Sequence, residues 1–249
     1  MNLDQRREIN TELYYIDSKG GIRANNMYSL VNPRPVVGPL SIHGLLALGG
    51  IVGPVVLVVG DYTPALMTPG YNFIRDSISS LAWTHLGWMQ TLGFLAIGLL
   101  VEIYVAGLLL NIHPQRGFSV SGVLLVLFGF GMLMIGAFHT DVSGTTEATL
   151  QGTIHGIAAK TVFVTFPIAA GLMSFSIKRD PQWRHLYLYT VITVLIGFLL
   201  LVAVWLAGDT NWFGLFERLL VANMIIWVEV TAIQLLIHSL RNTPKPARN

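Results

Sequence analysis

The chain has 249 residues, of which 53% are hydrophobic and only 11% are charged, and its mean hydropathy is +0.62. A soluble domain carries about 25% charged residues, so this chain has too few charges to coat a water-facing surface, and a bilayer is its natural solvent. A net charge of only +2 with no basic tract argues against a nucleic-acid partner, and the absence of cysteine excludes disulfides, thiolate metal sites and cysteine nucleophiles.

Residues 1–39 open with "MNLDQRREINTELYYIDSKGG" and are polar and mixed in charge. They lack the basic region and short apolar core of a cleavable signal peptide. They read as a cytoplasmic tail, and as the natural contact for a partner membrane protein. Residues 40–240 hold six stretches of the ~20 apolar residues that a spanning helix needs. These are 40–60, 88–111, 118–139, 154–177, 185–207 and 213–239, followed by a short tail at 241–249. The expected fold is all-α: a polytopic bundle of six transmembrane helices.

The first connection begins "DYTPALMTPG", which is rich in turn residues, and continues "NFIRDSISSLAW". In the second part Ile74, Ile78 and Leu81 fall on one helical face. This predicts a short interfacial helix acting as a lid, with Trp83 and Trp88 as interfacial anchors.

Lys and Arg set orientation. One side of the bundle collects Arg6, Arg7, Lys19, Arg23, Arg34, Arg116, Lys178, Arg179, Arg184, Arg241, Lys245 and Arg248, while the other keeps Arg75, Lys160 and Arg218. Both termini are therefore expected in the cytoplasm, with the chain in the cell membrane. The opposite, outer side gathers most of the interesting polar residues: Arg75, Asp76, Ser79, His139, Asp141, His155, Glu217 and Arg218, along with Asp61, Ser77, His85 and Asp209. Polar groups at helix ends near the hydrocarbon boundary face a cavity or one another.

Several chemistries fit that set. His139, Asp141 and His155, with His85 as an optional fourth, supply nitrogen and oxygen ligands suited to a divalent metal, without matching a known metal signature. Ser77 or Ser79 with His139 or His155, oriented by Asp141, has the logic of a hydrolytic triad, without a GxSxG elbow. His139, Asp141 and His155 are expected to converge, either on a metal or in a hydrogen-bonded group with Asp76 or Ser79. Arg218 is expected to meet Asp76, Asp141 or Asp209, or to hold a phosphate or carboxylate. Within the spans, Glu102 and Glu229 fall at similar depth; they could share a proton on an ion path, or serve as hydrogen-bonding glue between helices.

The motifs "RDSISSLAW", "FHTD" closing the third span, "IHG" opening the fourth and "GLFERLLV" opening the sixth resemble the bacterial and archaeal six-helix membrane proteins grouped as domain of unknown function 998. The resemblance covers about residues 40–240 and implies no activity. It implies only that Arg75, Asp76, Ser79, His139, Asp141, His155, Glu217 and Arg218 are landmarks of the family. The reading that follows is binding or handling of an amphiphile, such as a lipid or isoprenoid headgroup, with membrane lipids as partners. A metal- or serine-dependent membrane hydrolase, and an accessory subunit of a larger membrane complex, are the alternatives.

Overall fold

The computed structural model describes residues 12–16, 22–26, 41–142, 147–208 and 210–242. Two strands, β1 (Glu12–Ile16) and β2 (Ile22–Asn26), pair antiparallel ahead of the bundle, with Tyr14 opposite Ala24. The rest is helical: α1 (Ile42–Met67), α2 (Gly87–Asn111), α3 (Phe118–Ala137), α4 (Leu150–Arg179), α5 (Tyr187–Ala207) and α6 (Phe213–Asn242). All six spans have the length and hydropathy to cross a membrane, and the protein is a multi-pass membrane protein.

The helices pack in a closed ring. Each of α1 to α6 lies against the next, and α6 returns to α1. Phe128, Phe166 and Trp227 stack through its middle, with ring centroids 5.1 and 5.5 Å apart. At one end Ser41, the N-cap of α1, meets Ser239 near the end of α6 at 2.5 Å. That is the terminal end. The other end, capped by residues 71–83, is called here the strap end.

α1 departs from the sequence reading. It runs on through "DYTPALM" to Met67, although Pro64 cannot donate to the carbonyl of Gly60. The Thr68 hydroxyl donates to the Pro64 carbonyl at 2.7 Å and closes the last turn. Asp61 therefore sits on a helix wall, about 9 Å below the end of α1 at 1.5 Å rise per residue, and not in a loop. Close approach of α1 to α2 holds it there. A Cβ on Gly60 would come within 2.7 Å of the Met89 carbonyl and 3.2 Å of the Gly93 Cα, so only glycine fits this crossing.

The lid is also shorter than expected. Only Ile78–Trp83 is helical, as a 3₁₀ helix capped by Ser77. Ile78 and Leu81 are buried in the bundle, whereas Ile74 is exposed on the preceding turn. Trp83 and Trp88 lie on the surface. The segment is a strap folded into the end of the bundle, anchored by two side chains and not by a continuous apolar face.

Candidate functional site

The strap is held from α6. The Asn72 side chain accepts from the backbone of Ile74 (2.9 Å) and Arg75 (3.2 Å), turning the chain so that the carbonyls of Phe73 and Asp76 face inward. Arg218 fills the turn. Its Nη1 donates to the carbonyls of Phe73 (3.0 Å), Asp76 (2.7 Å) and Gly214 (2.9 Å), and its Nη2 donates to the Tyr71 hydroxyl. The guanidinium also lies 5.4 and 5.3 Å from the ring centres of Tyr71 and Phe73. Tyr71 in turn donates to the Ser77 carbonyl at 2.9 Å, and burial pushes its phenol well above the ordinary range, so it stays a donor.

Glu217 holds the next residues. Its Oε2 accepts the backbone N–H of Ile78 at 2.7 Å, and Gln90 of α2 donates to the carbonyl of the same residue. Leu215 adds a backbone bond to the Ile74 carbonyl at 2.9 Å. Water is scarce at this depth, so every buried backbone group of the strap needs such a protein partner.

Arg218 thus meets Asp76 through its backbone carbonyl and not its carboxylate, with two further carbonyls and a phenol completing the set. Asp76 points outward: it takes Arg75 Nε at 2.6 Å and the Asn72 N–H at 2.8 Å. The hydrogen bond from Arg75 holds its carboxyl below the ordinary range. Arg75 is half exposed, so this pair adds little stability. Asp141 reaches forward to the Thr149 hydroxyl at 2.6 Å, and Thr149 caps α4 by accepting from the Gly152 N–H at 3.0 Å. Asp209 lies outside the described residues.

His139 and His155 do come together, each hydrogen-bonded to a different partner. His155 is buried on the first turns of α4, facing the bundle, and its Nδ1 meets the Phe138 carbonyl at 2.8 Å. His139 Nε2 meets the Thr91 hydroxyl at 3.1 Å, under the edge of the Trp83 ring. Both line one small cavity of about 10 Å³ with Ser79 and Gln90. With Asp141 committed to the α4 cap, no group of three potential ligands is arranged to hold a metal ion among the described residues. Nor does any hydrogen bond join Ser77 or Ser79 to His139 or His155 there; Ser79 donates to Ser77 at 3.4 Å. Glu102 lies against Gly129 and Phe130 of α3, and among the described residues no hydrogen bond joins it to Glu229.

Two further cavities continue inward from the histidines. One of about 20 Å³ runs from Ser79 and His155 to Glu217. The other, of about 70 Å³, lies between α1 and α6 and is lined by Asp61 and Arg218 among apolar side chains. Asp61 is only 6% exposed, and its Oδ1 has no hydrogen-bond partner; the same is true of Arg218 Nε. Tyr71, Gln90 and Thr91 complete the site beyond the residues expected from sequence, and Asp61, expected on the outer side, joins it from the wall of α1. Asp61 was visible as an acid close behind a spanning segment, whereas an amide, a phenol and a hydroxyl leave no distinctive trace in so apolar a chain.

No curated protein and no solved structure matches the chain. A family model described as protein of unknown function (DUF998) matches residues 51–234, which include α2 to α5, most of α1 and α6, and every side chain of the site. With six spanning helices and a strap latched by Glu217 and Arg218, the chain belongs to this DUF998 family of multi-pass membrane proteins.

Proposed function

We propose that the cavity between α1 and α6 receives the polar end of an amphiphile from the lipid leaflet at the strap end. The observation that carries this reading is the composition of its wall: two buried charged side chains, Asp61 and Arg218, with Leu57, Val58, Val221 and Ile225 supplying an apolar track beside them. Val58 and Tyr62 line the cavity and are also exposed on the outer surface of α1, the surface that faces lipid. A charged pocket with a greasy approach suits a molecule with a polar head and an apolar tail. The distribution of Lys and Arg favours cytoplasmic termini in the cell membrane, which puts this leaflet on the outside. Residues 1–39, on the opposite side, remain the natural contact for another membrane protein.

The test is lipid retention. Protein purified in mild detergent is extracted, and its lipids are quantified by mass spectrometry against the bulk membrane. One lipid or isoprenoid class should be enriched several-fold. Ala222→Phe, which fills the cavity, should abolish the enrichment while the protein still elutes as a folded species. Bulk-like lipid content in the unmodified protein, unchanged by Ala222→Phe, would overturn the reading.

A further inference from the structure

Glu217 is accounted for in its partners, and Arg218 in both Nη atoms though not in Nε; the Asp61 side chain has none. The Asp61 side chain forms no hydrogen bond, and neither of its carboxyl oxygens lies within 4.0 Å of a Lys, Arg or His nitrogen, among the described residues. Asp61 and Arg218 line the same cavity yet stand apart, because the guanidinium is drawn away into the strap by three carbonyls and the Tyr71 hydroxyl. A buried carboxyl group with an empty acceptor is costly in a low-dielectric site unless something supplies a donor.

The placement of donors points the same way. Asp61 is the buried acid of this cavity and Arg218 its buried base, and both Nη atoms of Arg218 are turned to the strap. The cavity therefore lacks a donor beside Asp61. An anionic head fits poorly: both Nη atoms of Arg218 are already engaged, which leaves it Nε alone, and an approaching phosphate would meet the Asp61 carboxylate in the same cavity. The cavity, at about 70 Å³, exceeds the ~10–15 Å³ that a single water needs, so it can admit a small polar head. Its aromatic walls, Tyr62 and Phe94, are favourable neighbours for a cation.

We propose that Asp61 binds the primary ammonium group of an amphiphilic amine, whose apolar part lies along Val58, Val221 and Ile225. This rests on the reading that the cavity holds an amphiphile, and it names the chemistry of the head. Two sources offer that chemistry, a membrane aminophospholipid and a free long-chain amine.

The experiment uses the full chain in detergent and native mass spectrometry. Equimolar phosphatidylethanolamine and phosphatidylcholine with identical acyl chains differ only in N-methylation of the head. The expected result is about a ten-fold preference for the ethanolamine lipid, the size of one charge-assisted hydrogen bond. Asp61→Asn should bind both lipids without preference, and Ala222→Phe should bind neither. Dodecylamine should raise the melting temperature where dodecyltrimethylammonium does not; stabilisation by dodecylamine with no preference between the two lipids assigns the free amine as the source. Should Asp61→Asn fail to fold, lipids with one, two and three N-methyl groups test the same contact, and affinity should fall with each N–H removed. Lipid binding with a flat response to methylation, together with equal effects of dodecylamine and dodecyltrimethylammonium, overturns the inference and leaves the amphiphile reading standing. Stabilisation by sodium ion alone, with no dependence on amines, also overturns it. Failure to retain any lipid or amine sinks both.

Discussion

The backbone N–H of Ile78 and the carboxylate of Glu217 meet at 2.7 Å although they lie 139 positions apart in the chain. The carbonyl of Ile78 is taken by Gln90, and its side chain is buried. One strap residue is therefore clamped from α6 on one side and α2 on the other, and the three cavities of the strap end lie around that clamp.

Removing the acceptor should release the strap. Glu217→Ala leaves the Ile78 N–H buried without a partner, which should cost about 1–3 kcal/mol. Glu217→Gln keeps a carbonyl oxygen in reach and should cost less. Hydrogen exchange over 71–83 and melting in mild detergent measure both. Equal, wild-type-like protection in the two variants would show that the bond does not hold the strap.

Arg218 serves the strap through a planar fork that reaches several acceptors at once. A lysine at this position has one nitrogen and cannot reproduce the set. Arg218→Lys should lose at least about 2 kcal/mol through carbonyls left unsatisfied, and a protease should cut within 71–77 in the folded variant faster than in the parent. Unchanged cleavage rates would contradict the assigned role.

Gly214 lets the strap approach α6. A Cβ there would fall on the Asp76 carbonyl and 2.9 Å from Arg218 Nη1. Gly214→Ala should destabilise by about 1–3 kcal/mol through overpacking and should weaken lipid retention, because Arg218 is displaced at the cavity wall. Native-like stability with native-like lipid content would exclude this contact as a determinant.

Acid should loosen the terminal end first. Burial raises the Asp180 carboxyl, but hydrogen bonds from the His113 side chain (2.8 Å), the His113 N–H (3.0 Å) and the Gln182 N–H (2.9 Å) outweigh it and hold it below the ordinary range. A carboxyl depressed on folding stabilises above its unfolded value, about 3.9, and that contribution is lost as the pH falls through the lower folded value. Exchange of the 112–118 and 180–184 loops should therefore rise below about pH 4, and Asp180→Asn should remove this pH dependence. A rise seen equally in Asp180→Asn would assign it to another group.

The six spans were legible because length and hydropathy alone decide them. The end of α1 was not, since "DYTPALMTPG" carries the residues of a turn and only packing against α2 through Gly60 and Gly93 keeps it helical. Asp61 was therefore expected in a loop of the outer set and not on a helix wall lining a cavity. His139 and His155 could be read as neighbours, because the ends of adjacent helices must face one another. Their partners could not: Thr91 and the Phe138 carbonyl come from tertiary contacts. Arg218 was recognisable as a charge at a helix end that needs a partner, but backbone carbonyls have no signature in a sequence, and the fold of the strap supplies them.

The clamp also imposes an order of events on the nascent chain. The strap joins the first two spans, and the residues that fasten it lie on the last. At roughly 5–20 residues per second, on the order of ten seconds separate the synthesis of Ile78 from that of Glu217 and Arg218. Until then the inward carbonyls of Phe73 and Asp76 and the Ile78 N–H must stay hydrated, so the first loop waits in the aqueous boundary while the helices between are inserted. A chain that stops after α5 carries that loop permanently undone, which gives the cell's proteases a polar handle on every molecule that was never finished.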